Sequence, residues 1–306
     1  MELVCQAHGL SKRYGHTYAL QNLTMQVPKG SIYGLVGRNG AGKTTLIRIL
    51  CGLQSPTAGS YCLYGTPFRD PAIQQVRRRM GAVVESPAIY QDLSALNNLK
   101  LQAQVLGLPS NRDLPHLLEL VGLENPGKKT VRHFSLGMRQ RLGIAMALVG
   151  SPDFLVLDEP VNGLDPQGIV EIRELLLLLR LNREHQITIL LSSHILDELA
   201  RLATHYGFLD RGRMVQEVSA GEVEAACRKC THVEVSDVAV LARVLDGMGL
   251  DYTIDSSHTA NIYAHPHVTQ LVQALADAGC QVSSMHQQDE SLESYYMSLV
   301  GGEGHG

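Results

Sequence analysis

Gly37-Arg38-Asn39-Gly40-Ala41-Gly42-Lys43-Thr44-Thr45 is the stretch around which the rest of the chain must be arranged. It follows the apolar segment 32–36, which reads as a strand, and opens the segment 42–51, which reads as a helix. The glycines let the backbone curl so that its N–H groups converge on an anion, and the helix N-terminus adds partial positive charge at the same point. G-x4-G-K-T is the spacing of a phosphate-binding loop. Lys43 is expected to reach the β- and γ-phosphates of ATP, and the Thr44 hydroxyl to ligate Mg2+. Arg38, Asn39, Gly40, Ala41 and Thr45 complete the expected binding loop.

Outward from the loop, strands and helices alternate over roughly the first 210 residues. Strands are predicted at 3–7, 22–27, 32–36, 60–63 and 82–84. Three helices follow, at 94–106, 112–121 and 136–149. The first places Leu96, Leu99, Ala103 and Leu106 on one face, and the second Leu114, Leu117, Leu118 and Val121. The rhythm then resumes with strand 154–157, helix 166–181, strand 187–191, helix 195–203 and strands 206–209 and 213–217. A break is predicted at 218–224, then a βαββαβ pattern to 285, a helix at 291–299 and a glycine-rich tail. The expectation is an α/β domain over 1–218, with a helical subdomain at about 86–150, and a small α+β domain over 219–306.

The bulk properties exclude several classes. At 306 residues, 44% hydrophobic and net charge −4, the chain has the composition of a globular protein, without the basic excess that a nucleic-acid partner would favour. Six cysteines are too few for a disulfide scaffold, and Cys227-x-x-Cys230 has no second pair to complete a zinc site. Residues 1–14 lack the basic start and apolar stretch of a secretory signal. The longest apolar run, 144–149, is far short of the ~18 residues of a membrane span. His265-Pro266-His267 reads as solvated surface.

Two further segments carry chemistry. Phe154-Leu155-Val156-Leu157-Asp158-Glu159 is an apolar strand ending in two carboxylates. Asp158 is expected in the magnesium shell and Glu159 where it can polarise a water. Ser192-Ser193-His194 ends the next strand, and parallel strands deliver functional groups at their C-terminal ends, so His194 is expected at the same phosphate.

The order of these pieces, with Phe134-Ser135-Leu136-Gly137-Met138-Arg139-Gln140-Arg141 and Asn162-Gly163-Leu164-Asp165-Pro166 between them, resembles the ATP-binding subunit of an ABC transporter over residues 1–217. The resemblance implies a P-loop NTPase fold, a RecA-like core plus helical subdomain. Ser135 and Gly137 match the signature serine and second glycine; Leu136 and Met138 replace a glycine and a glutamine. It further implies that Tyr14 packs on adenine, that Asp165 bridges two subunits, and that Glu159 and His194 are catalytic. Val161 stands where a threonine is usual. Glu85 occupies the place of a glutamine that touches Mg2+ and the transmembrane partner. At Glu85, at the signature, at Asn162–Pro166 and near Ser291-Leu292-Glu293 the chain is similar to bacitracin-resistance and lantibiotic-immunity exporters.

What this implies is an ATPase, turning ATP and water into ADP and phosphate, that works as a homodimer. Two copies would sandwich two ATP molecules head to tail, the loop of one copy facing Ser135 and Gly137 of the other. A separate membrane permease would hold the dimer peripherally at the cytoplasmic face of the cell membrane, and export of an antimicrobial peptide or similar amphipathic toxin would confer antibiotic resistance. Two other classes stay open: a soluble ABC-type ATPase that does not transport, and a nucleotide-binding regulator that no longer hydrolyses. Against the second, Lys43, Thr44, Asp158, Glu159 and His194 are all present.

Overall fold

The computed structural model describes residues 2–109, 113–123, 129–181, 186–227, 230–263, 267–288 and 291–301. The expectations for residue 112, for Arg228 and Lys229, for His265 and Pro266, and for the tail beyond 301 lie outside them. The chain forms two compact units, Met1–Ala220 and Gly221–Gly306.

In the first unit the elements run β1 (Leu3–Tyr14), β2 (Thr17–Pro28), β3 (Ile32–Val36), α1 (Lys43–Leu50), β4 (Ala58–Leu63), β5 (Thr66–Pro67), α2 (Ile73–Arg77) and β6 (Met80–Val83). Helices α3 (Ala95–Val105), α4 (Leu114–Leu120) and α5 (Leu136–Leu148) follow. Then come β7 (Phe154–Asp158), α6 (Pro166–Leu181), β8 (Thr188–Ser193), α7 (Leu196–Ala200), β9 (His205–Asp210) and β10 (Arg213–Ser219). Two sheets result, in the orders β2-β1-β4-β5 and β10-β9-β3-β8-β7-β6. The second is parallel from β9 to β6, with β10 antiparallel at its edge. Every residue of β3, β7 and β8 is buried, which is why their interiors read as short apolar runs, with polar residues only at the end of β7 and at both ends of β8.

Helix α1 joins the sheets. Its Leu46, Ile47, Ile49 and Leu50 share one core with Leu10, Leu23 and Met25 of the first sheet and Leu35, Phe154, Val156 and Leu190 of the second. The three middle helices begin where side chains can serve the unpaired amides of a first turn. Ser94 accepts from Asn97 N–H at 3.3 Å, Asp113 from His116 N–H at 3.3 Å and Ser135 from Met138 N–H at 3.2 Å.

Three local features differ from expectation. Strands β1 and β2 extend to Tyr14 and from Thr17, because they pair along their whole length even where polar side chains mask the alternation. Short α2 was not anticipated. The break expected at 218–224 is occupied by α8 (Ala220–Ala226), whose alanines and glutamates favour a helix enough to carry Gly221, at a cost of about 1 kcal/mol.

The second unit continues with β11 (Cys230–Val235), α9 (Val238–Met248), β12 (Tyr252–Ile254), β13 (Thr259–Ile262), α10 (Val268–Asp277), β14 (Val282–Gln288) and α11 (Leu292–Gly301). Its antiparallel sheet has the order β12-β13-β11-β14. Leu241, Leu245, Leu271 and Leu275 of the two helices pack on Val233, Val235, Ala260 and Ile262 of the strands, giving this unit a core of its own. Among the described residues no helix is long and apolar enough to cross a membrane, and the cysteines form no disulfide.

One carboxylate ties the two sheets electrostatically. Glu217 of β10 accepts the Tyr33 hydroxyl at 2.6 Å and the Gln26 N–H at 2.8 Å. Burial holds its carboxyl above the ordinary value of 4.5, against the lowering effect of those two donors. The folded protein therefore binds this proton more tightly than the unfolded chain does. The resulting stability is complete below 4.5 and is lost as pH rises through the folded value. The melting temperature of the wild type relative to Glu217→Gln is expected to fall between pH 4.5 and pH 7.5, as measured by thermal unfolding at both pH values.

Candidate active site

Strand register gathers the site. In the central sheet Val36 pairs with Ser193 and Asp158 with Ser192, so β3, β8 and β7 end level with one another. The phosphate loop, His194 and the Asp158–Glu159 pair consequently leave the same edge, at the carboxyl ends of adjacent parallel strands.

Within the loop two glycines are required by close approach. A Cβ on Gly37 would lie 2.6 Å from the Leu209 carbonyl oxygen, and one on Gly42 2.5 Å from that of Ala19. Gly42 also has φ +110, outside the range of L side chains. It is the N-cap of α1, and no side chain caps that first turn. The amides of Lys43, Thr44 and Thr45 therefore meet whatever enters the loop with their donors and dipole, which suits an anionic phosphate. Arg38, Asn39 and Gly40 form the exposed lip, and Ala41 is buried beneath them.

Lys43 is a buried cation, 6% exposed. Its Nζ donates to the Gly37 carbonyl at 2.6 Å and to that of Arg38 at 3.3 Å, and lies 3.2 Å from Glu159 Oε1. The other oxygen of the same carboxylate, Oε2, is 2.8 Å from His194 Nδ1. Lys43, Glu159 and His194 thus form one contiguous chain. Glu159 adopts φ +50, an unusual conformation for a non-glycine residue that costs about 1–3 kcal/mol and persists only where its surroundings enforce it. Asp158 is almost fully buried, and its Oδ1 accepts the Ser192 hydroxyl at 2.6 Å. Among the described residues no hydrogen bond or ion pair engages its Oδ2, so a carboxylate oxygen beside the loop suits a hard cation such as Mg2+.

Other expected residues lie in separate groups. Tyr14, at the end of β1, is 46% exposed; its hydroxyl bonds Gln54, and Lys12 Nζ lies 5.3 Å from its ring centre. Glu85, at φ +61, is ion-paired with Arg48, which stands one helical turn after Thr44 on α1. That pairing was invisible in the sequence, although the four-residue spacing from Thr44 marks the face of α1 on which Arg48 lies. Ser135 and Gly137 line a cleft of about 380 Å³ with Leu136, Arg141, Gly163, Leu164 and Asp165; none of its lining residues belongs to the phosphate loop. Asp165 accepts the Gly168 N–H at 3.0 Å at the start of α6. A larger groove, about 740 Å³, runs between β6 and the helices α3 and α5, lined by Leu53, Met80, Val84, Pro87, Leu106 and Met146 and by the polar Gln74, Arg77, Arg78 and Gln102.

Residues 20–162 match the family model described as ABC transporter. Over 307 aligned positions, 99% of this chain and 98% of the relative, the sequence is 38% identical to a bacitracin transport ATP-binding protein of Enterococcus faecalis. The chain belongs to the ABC transporter family, as an ATP-binding subunit. A lantibiotic transport ATP-binding protein of Streptococcus pyogenes is 45% identical over 208 residues, 68% of this chain and 87% of the relative. A solved ATP-binding subunit of an ABC transporter superposes with a TM-score of 0.64 at 31% identity, over 73% of this chain and 92% of that one.

Gly42→Ala should strain the loop and disturb the β1–β2 hairpin that touches it, lowering stability by about 1–3 kcal/mol and weakening ATP binding. Chemical denaturation and a fluorescent-nucleotide titration would check this. An unchanged midpoint together with unchanged affinity would contradict the geometry.

Proposed function

We propose that this subunit hydrolyses ATP to drive export of an antimicrobial peptide through a separate membrane permease. The observation that carries the hydrolytic reading is the continuous Lys43–Glu159–His194 contact at the strand ends. The cargo is inferred from the full-length similarity to the bacitracin transport protein, with the lantibiotic relative supporting the same class.

The residues divide the work as follows. Phosphate oxygens entering the loop compete with Glu159 for Lys43, which is already held by two carbonyl oxygens and needs no large movement. Glu159 Oε1, released from the ammonium, can accept a proton from, or orient, an attacking water. His194, bonded through Nδ1 to Oε2, steadies that carboxylate, and its other ring nitrogen would be left to meet the γ-phosphate. Thr44 and Asp158 would hold Mg2+, which supplies charge neutralisation on the phosphates. Glu85 would extend that shell, and the Tyr14 ring would stack on the base, worth about 1 kcal/mol.

The donors of Ser135 and Gly137 lie in a cleft separate from the loop, which supports a site completed by a second copy of the chain, arranged head to tail, with Asp165 at the junction. The groove beside β6, with both apolar and polar residues in its lining, runs into the segment bearing Glu85 and is suited to an amphipathic helical segment of the permease. Movement there follows the nucleotide because Arg48 links Glu85 to the helix that begins at the loop.

Glu159→Gln is expected to keep ATP binding and lower turnover at least about 100-fold, measured as phosphate release by the subunit with its permease. Turnover within a few-fold of wild type would remove Glu159 from this role. Glu85→Ala should reduce peptide export per ATP hydrolysed by a larger factor than it weakens nucleotide affinity, the two measured in parallel. Equal loss of affinity and export would sink the coupling assignment.

A further inference from the structure

Ser192 was part of a recognisable motif, yet nothing in the hydrolytic reading gives its side chain a task. It is fully buried at the end of β8, directly opposite Asp158 in the sheet. Its hydroxyl carries a single proton, and that proton goes to Asp158 Oδ1 at 2.6 Å. The Ser192 hydroxyl oxygen in turn accepts the Glu159 N–H at 2.9 Å, while the Ser192 carbonyl accepts that N–H at 3.2 Å. One side chain therefore contacts both acidic residues at once: the carboxylate of the first and the amide of the second.

Each contact has a consequence. Occupying Oδ1 selects the rotamer of Asp158 and leaves Oδ2 as the oxygen available to a cation. Pinning the Glu159 amide from two acceptors holds that residue in its left-handed conformation and so aims its carboxylate between Lys43 and His194. The donor–acceptor order allows no alternative with an ionised Asp158. A carboxylate only accepts, the hydroxyl must donate to it, and only a lone pair then remains to meet the amide.

We propose that Ser192 is a positioning residue for ATP hydrolysis, setting the Asp158 oxygen offered to the divalent cation and the backbone geometry of Glu159. The proposal rests on the roles of Asp158 and Glu159 given above. Partners that orient metal-binding carboxylates matter because a ligand with free rotamers pays an ordering cost at each binding event.

The test compares Ser192→Ala and Ser192→Thr in the full-length chain, with Mn2+ as an electron-paramagnetic probe of cation affinity in the presence of ADP. Thermal unfolding is recorded alongside to confirm folding. Removing the hydroxyl should weaken Mn2+ binding roughly 10-fold and lower kcat by a similar factor, with ADP affinity in EDTA changed less than about two-fold. Threonine, which keeps the hydroxyl, should recover most of both losses. Wild-type Mn2+ affinity and kcat in Ser192→Ala would overturn the proposal, as would equal impairment of the two variants, since packing alone would then be responsible. Asp158→Asn and Glu159→Gln serve as the parent controls. If they leave Mn2+ affinity and kcat untouched, the hydrolytic reading itself fails, which is a different result from the failure of Ser192 alone.

Discussion

The Glu159 carboxylate, shared between the Lys43 ammonium and the His194 imidazole, is the interaction on which this site turns. It exists because β3, β8 and β7 end in register, so three segments far apart in sequence release their polar residues at one edge. A buried ammonium needs a counter-charge or several acceptors, and here it has both, in two loop carbonyls and one carboxylate. The arrangement is stable without strain at the lysine. The strain is carried instead by the glutamate backbone at φ +50.

Positive φ at non-glycine residues marks two of the acidic residues singled out from sequence, Glu159 and Glu85. Both follow strands of the central sheet, β7 and β6, at points where the chain leaves the parallel ladder. Each is held by a different cation, Lys43 for the first and Arg48 for the second, and both cations belong to α1. The helix that opens at the phosphate loop thus restrains two acidic turns through side chains on separate turns of its own length.

Much of this was legible before the structure. The central strands and the loop were clear because full burial makes β3 and the middles of β7 and β8 apolar, with polar residues confined to the strand ends, and because glycine at 37 and 42 is demanded by carbonyl oxygens less than 3 Å from any added Cβ. Strand ends were less so: β1 and β2 carry polar residues along a hairpin whose pairing, rather than its composition, sets its length. Helix α2 has only five residues and no side-chain cap to announce it. Pairings across long separations were beyond reach. Ser192 and Asp158 are 34 residues apart, Arg48 and Glu85 37 apart, and nothing in local pattern specifies either contact. Ser135 and Asp165 were assigned separately, and only the fold puts them in one cleft.

The placement of α1 has a consequence for the life of the protein in a cell. Its apolar face is a structural hub shared by both sheets of the first unit, while its first turn, which no side chain caps, is where the proposed phosphates would sit. Nucleotide held there would stabilise the element on which the packing of both sheets converges, by about 2.7 kcal/mol when free ligand exceeds its dissociation constant a hundred-fold. That is a large share of the net stability of a typical domain. The nucleotide pool would then act as a folding ligand as well as a fuel. A subunit starved of nucleotide would lose its protection from proteolysis before any change in the amount synthesised.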